Sequence, residues 1–121
     1  MRLYLSGPMT GIRDFNRPAF QEATKRLRAL GHSVIDPTEM DLVPSVASAP
    51  EVDHLWRMFL VRDVAMILTC TLDALVVLPG WWRSRGARLE VLAGRLVGLA
   101  VLDATTLEEV PIHFIDTTDL L

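Results

Sequence analysis

Apolar and polar positions change their period several times along the chain. The stretch RLYLS alternates and stops at Gly7-Pro8, which predicts a short first strand. From Asp14 onward, Phe20, Ala23, Leu27 and Leu30 recur at intervals of three, four and three, a helical stripe that Gly31 terminates. HSVID predicts a second strand closed by Pro37, and Thr38 to Pro50, rich in Pro, Ser and Ala, predicts a loop. A long helical pattern follows from about Glu51 to Cys70. LDALVVLP is a near-continuous apolar run, as expected of a strand buried on both faces of a parallel sheet. Residues 85–97 predict another helix, GLAVLD a further strand, and IHFID a last one. Strands alternating with helices define an α/β chain with a parallel sheet. There is no internal repeat and no low-complexity segment, so residues 1–121 are expected to form one domain.

Composition narrows the classes of partner. Half of the 121 residues are hydrophobic and the net charge is −3, which argues against a disordered chain and against nonspecific binding to a nucleic acid polymer. The single cysteine, Cys70, rules out an internal disulfide and is expected to pack as a small hydrophobe. His32, His54 and His113 show no metal-ligand spacing, so no metal site is expected. No apolar stretch has the length of a membrane span or a signal peptide, and a soluble cytoplasmic protein is expected.

In parallel α/β sheets, ligands bind beyond the carboxyl ends of the strands. Two segments fall there, SGPMTG after the first strand and PGWWRSRGARLE after the third. In the first, Gly7 and Gly11 allow a close backbone approach, beside Ser6, Pro8 and Thr10; it is not a dinucleotide fingerprint, and a plain strand-to-helix turn explains it as well. In the second, Ser84 and Gly86 stand where a helix N-terminus binds an anion, although Ser84 also suits a simple N-cap. Trp81 and Trp82 suit stacking on a base, a subunit contact, or packing over the end of the sheet. Tyr4 shares a strand face with Ser6, and its hydroxyl is placed to hold a carboxylate if it is not merely core.

Two carboxylates stand out. Glu90 lies about one turn into its helix with Gly86, Ala87, Ala93 and Gly94 as its small helical neighbours, which leaves room for a ligand; a glutamate answering the helix dipole is the plainer explanation. Asp63 sits among Phe59, Leu60, Met66 and Ile67, an apolar stripe on which a carboxylate is costly unless protonated or paired, for example with Arg62 or Arg57. One carboxyl held as the anion (Glu90) and one pushed toward the acid (Asp63) is the division of labour that sugar-transfer chemistry uses. Asp73 opens the third strand and suits a cap of the preceding turn.

The segments YLSGPMTG, F…A…LRALGHSVIDP, RDVAMILTCTLDALVVLPGW and SRGARLE, in this order over residues 2 to about 101, resemble the nucleoside 2-deoxyribosyltransferase superfamily, and within it the DUF4406 branch; the superfamily includes the 2′-deoxynucleoside 5′-phosphate N-hydrolases. The resemblance implies a flavodoxin-like, doubly wound parallel sheet of about five strands in the order 2-1-3-4-5. It implies a homodimer or larger homo-oligomer, a nucleoside or nucleotide as the small-molecule partner, and no cofactor. It places the nucleophile on Glu90, the acid on Asp63, the orienting tyrosine on Tyr4, a substrate contact on Asp73 and a phosphate-binding serine on Ser84. The chain departs from the phosphate hydrolases in its first loop, where Pro-Met-Thr replaces a serine and an arginine; Arg13, Arg83 and Arg85 are candidate substitutes. DTTDLL near the C-terminus offers Thr117 and Thr118 where relatives lend a residue to a neighbouring subunit. Three functions remain open at this point: cleavage or exchange of an N-glycosidic bond, nucleotide binding without catalysis, and a flavodoxin-like interaction domain.

Overall fold

The computed structural model describes residues 1–40 and 49–111. Four strands, β1 (Arg2–Ser6), β2 (Ser33–Ile35), β3 (Ala74–Val77) and β4 (Ala100–Asp103), form one parallel sheet in the order β2-β1-β3-β4. Three helices, α1 (Arg17–Ala29), α2 (Ala49–Thr69) and α3 (Arg85–Leu96), make the crossovers that parallel strands require. The expected final strand at 112–116 and the threonines at 117 and 118 lie outside the described residues.

Side chains of successive strand residues point to opposite faces, and the sheet uses both. Leu3, Leu5, Ala74, Val76 and Leu102 face α1, where they meet Phe20, Ala23 and Leu27. Tyr4, Leu75, Val77 and Val101 face α2 and α3, where they meet Ile67, Ala87 and Val91. The apolar run of β3 is buried at all four positions because helices cover it on both sides. The chain leaves β1 for β2 on one side, while β3 and β4 lie on the other. The order therefore reverses between β1 and β3, and a crevice opens at their carboxyl ends.

The first helix starts later than its apolar spacing suggests, at Arg17 rather than Asp14. Pro18 explains the delay: it has no N–H to donate to the Asp14 carbonyl and is tolerated only in a first turn. Asp14, Phe15 and Asn16 instead adopt left-handed backbone angles, with φ of 54°, 52° and 62°, which L-residues adopt at a cost of about 1–2 kcal/mol each. The expected loop after Pro37 begins with a tight 3₁₀ turn (Pro37–Glu39), capped by the buried Asp36 side chain, which accepts the Thr38 amide at 2.9 Å and the Thr24 hydroxyl at 2.8 Å.

The loops after β1 and β3 press together. The Leu78 amide donates to the Ser6 carbonyl at 2.9 Å, and a Cβ at Gly7 would stand 2.8 Å from the Leu78 Cβ. Only glycine fits there without moving backbone. Gly7→Ala should therefore lower stability by about 1–3 kcal/mol, read as a reduced midpoint in thermal or urea unfolding.

Candidate active site

The crevice between β1 and β3 deepens into a cavity of about 1080 Å³. Its floor is Glu90, which α3 carries at the second turn from its N-terminus and which is only 7 % exposed. Strand β1 reaches Glu90 from below with two hydroxyls on the same strand face. Tyr4 Oη donates to Glu90 Oε2 at 2.6 Å and Ser6 Oγ donates to Oε1 at 3.2 Å. One donor on each oxygen is an arrangement that favours the carboxylate. Burial acts against it more strongly. Desolvation, aided by the negative charge of Asp63, pushes the Glu90 carboxyl up to about 8 despite the Tyr4 and Ser6 hydrogen bonds and the more distant Arg62 charge. Tyr4 is itself raised well above its usual range, first by burial and then by the Glu90 charge.

Asp63 lines the same cavity, also at 7 % exposure. Its environment differs in kind. The neighbouring Arg62 turns its guanidinium back along α2 and places Nε at 2.8 Å and Nη2 at 2.7 Å from Asp63 Oδ1. The same guanidinium lies over the Phe59 ring, 4.9 Å from its centroid. This overturns the expected division between the two carboxyls in the unliganded protein: the one driven toward its protonated form is Glu90, because burial outweighs its hydroxyl donors, whereas Asp63 is ion-paired. The apolar stripe around Asp63 also has two functions. Ile67 belongs to the core, whereas Phe59 and Leu60 form the cavity wall.

Gly7, Pro8, Ser84 and Gly86 line the cavity with the two carboxyls. Ser84 is the N-cap of α3, its Oγ accepting the Ala87 amide at 3.2 Å, which is the plainer of the two roles foreseen for it; the residue also lines the cavity. A Cβ at Gly86 would come no closer than 3.8 Å to a neighbour, the Trp56 indole nitrogen, and the space above this helix turn is left to the cavity.

Four expected contacts do not line the cavity. Ser6 reaches it only through its hydrogen bond to Glu90. Trp81 is 2 % exposed and packs with Tyr4, Val77 and Ala87 in the core, because the αL turn at Gly80 swings its ring under the loop. The exposed ring of this pair is Trp82, set edge-on to Trp81 with centroids 6.3 Å apart. Asp73 lies at the amino edge of the sheet, opposite the crevice, where its Oδ2 accepts the Arg2 amide at 2.6 Å. Gly11 is exposed in the loop with φ of 80° and does not line the cavity. The aromatic wall comes instead from Trp56 and Phe59 on α2 and from Phe15, and the mouth carries Arg17, Arg83 and Arg85. Arg85 sits over the Trp56 ring at 5.7 Å. Trp56, Phe59, Leu60 and Asp63 follow the i, i+3, i+4, i+7 spacing of one helix face, a signal present in the sequence that marks them as neighbours. Among the described residues, no group of three or more His, Cys, Asp or Glu side chains is placed to hold a metal, and no helix is long and apolar enough to cross a membrane.

The chain is thus an α/β protein with a parallel sheet and two buried carboxyls in the crevice where its strand order reverses. Residues 1–103 match the family described as a domain of unknown function, DUF4406, and the chain belongs to that family. Its fold is similar to the solved structure of a 2-deoxyribosyltransferase from the psychrotolerant bacterium Bacillus psychrosaccharolyticus, at 20 % identity and a TM-score of 0.57, over 99 % of this chain and 90 % of that one. No curated protein matches the chain.

The carboxyl of Glu90 makes stability depend on pH. Its folded value of about 8 lies above its usual 4.5, so between these pH values the unfolded chain releases a proton that the folded one keeps. Stability from this group is present below pH 4.5 and is lost as pH rises toward 8. Glu90→Gln should therefore unfold later than the wild type at pH 8, by roughly 4 °C or more, with a much smaller gap at pH 5; thermal melts at the two pH values check this.

Proposed function

We propose that this protein cleaves or exchanges the N-glycosidic bond of a 2′-deoxynucleoside or its 5′-monophosphate. The observation that carries the proposal is the buried Glu90 carboxyl, gripped by Tyr4 and Ser6 and facing a cavity shared with a second carboxyl, Asp63. Similarity in fold to a 2-deoxyribosyltransferase supports it.

In the proposed reaction the two carboxyls that share the cavity hold one proton between them, as electrostatically coupled acid pairs do. In the free protein that proton resides on Glu90. When the deoxynucleoside fills the cavity, the proton passes to Asp63, and the Glu90 carboxylate, still held by Tyr4 and Ser6, attacks C1′. The C1′–N bond breaks with its electron pair on the base nitrogen, which takes the proton from Asp63. A water, or a second base, then attacks C1′ of the glycosyl ester, gives its proton to Asp63 and restores the Glu90 carboxylate. Water completes a hydrolysis and a base completes an exchange. Holding the sugar against Glu90 and dividing the displacement into two steps supply the rate advantage. The aromatic faces of Trp56 and Phe15 suit a nucleobase. A homodimer belongs to the same proposal, supported by Met58, Val61 and Leu68, apolar side chains that α2 exposes at helical spacing.

Incubation with a panel of deoxynucleosides and their monophosphates, with free base read by chromatography, tests the reaction. Base release by the wild type should fall at least about 10⁴-fold in Glu90→Ala; release that survives the substitution overturns the nucleophile, and tight binding without any release identifies a binding module instead. Adding a second base separates exchange from hydrolysis.

The mouth of the cavity bears on the phosphate. Arg83 and Arg85 flank the N-terminus of α3, where a phosphate oxygen gains charge-assisted hydrogen bonds worth about 1.5–3 kcal/mol each. The double substitution Arg83→Ala/Arg85→Ala should therefore lower kcat/KM for a monophosphate by about 10-fold or more while leaving the unphosphorylated nucleoside nearly unchanged. Equal losses on both substrates would remove the phosphate from the proposal.

A further inference from the structure

Tyr4 and Ser6 stand two residues apart on one face of β1, about 6.6 Å along the strand. The Glu90 carboxyl lies between them, with Oε2 on Tyr4 and Oε1 on Ser6. Its two oxygens are therefore spread along the strand direction. Ser6 ends β1 at the carboxyl edge of the sheet, where the crevice opens, and Tyr4 lies one pleat deeper. Oε1 is thus the oxygen on the crevice side and Oε2 the oxygen on the core side. The two bonds also differ in length. Tyr4 Oη approaches to 2.6 Å, a short, strong contact, whereas Ser6 Oγ at 3.2 Å lies beyond the usual range for one hydroxyl donating to oxygen.

We infer that the two oxygens of Glu90 have separate functions: Oε1 is the one that attacks, aimed by Ser6 as a positioning residue, and Oε2 becomes the ester carbonyl, held throughout by Tyr4. This deepens the proposed reaction and rests on it.

The chemistry of the glycosyl ester favours the same division. The Oε1–C1′ bond forms as the C1′–N bond breaks with its electron pair on the base, which is protonated as described above. Oε1 is then an ester oxygen, a poor acceptor, and Oε2 a carbonyl oxygen, a good one. Tyr4 is fully buried, and a buried hydroxyl left with a poor acceptor is costly. Attack through Oε2 would impose that cost. Attack through Oε1 gives up only the long bond, and the serine hydroxyl is free to rotate about its Cβ–Oγ bond. Ser6 does not line the cavity, so it acts on the sugar through Glu90 and not by contact.

The test uses the full-length protein and the deoxynucleoside that the wild type cleaves fastest in the panel above. Ser6→Ala should lower the rate of base release at saturating substrate about tenfold, with the half-saturating concentration within about twofold of the wild type. Ser6→Thr keeps the hydroxyl and should restore most of the rate, which a loss of packing alone would not explain. An unchanged rate in Ser6→Ala, or a loss confined to the half-saturating concentration as for a substrate contact, overturns the inference. A second measurement needs no variant. The ester is trapped in the wild type with the 2′-fluoroarabino analogue, whose fluorine opposes the oxocarbenium-like transition state of its release. Its crystal structure should show the sugar on the oxygen beside Ser6 and Tyr4 still bonded to the carbonyl oxygen; a sugar on the Tyr4 side overturns the inference. The two failures are distinguishable: a wild type that releases no base overturns the reaction and the division of attack with it, whereas base release that ignores Ser6→Ala overturns this inference alone.

Discussion

The hydrogen bond from Tyr4 to Glu90 fixes the relation of α3 to the sheet and, with it, the site. It joins the third residue of β1 to the second turn of a helix, across 86 residues of sequence. A polar contact placed this deep is stable only if both partners are satisfied, and here the tyrosine hydroxyl and the Ser6 hydroxyl take one carboxyl oxygen each. The helix must therefore arrive in one register. Gly94, whose Cβ would stand 2.7 Å from Leu75 Cδ1, permits the close approach of α3 that this register demands. The cost is electrostatic: a carboxyl taken from water resists ionisation, and the fold places a second carboxyl in the same cavity, which adds to that resistance.

Much of this was legible in the chain. The alternation of RLYLS predicted that Tyr4 and Ser6 share a face, and the near-continuous apolar LDALVVLP predicted a strand covered on both sides. The small residues around Glu90 marked it as approachable. All three readings depend on local period and on side-chain size, which a sequence displays directly. The apolar neighbours of Asp63 were also visible, but a helical stripe does not say whether it faces a core or the wall of a cavity. Phe59 and Leu60 do the second and Ile67 the first.

What was not legible depends on long-range placement. Trp81 and Trp82 are adjacent and chemically alike, and only the left-handed turn at Gly80 decides that Trp81 goes under the loop while Trp82 stays out. Asp73 is a strand-opening carboxylate whose partner, the Arg2 amide, belongs to a neighbouring strand and lies at the wrong end of the sheet for a ligand. The environments of the two carboxyls were not legible either, because solvent exclusion at Glu90 and the backward fold of Arg62 onto Asp63 are products of tertiary packing.

The backbone bond between Leu78 and Ser6 has a consequence for how the cavity can adapt. It ties the turns that follow β1 and β3 into one piece, with Gly7 wedged against Leu78 so that neither turn slides past the other. That side of the crevice behaves as an anvil. The opposite side is built differently: there Trp56 and Phe59 project from α2 as single side chains, so the two walls of the crevice differ in what they can yield.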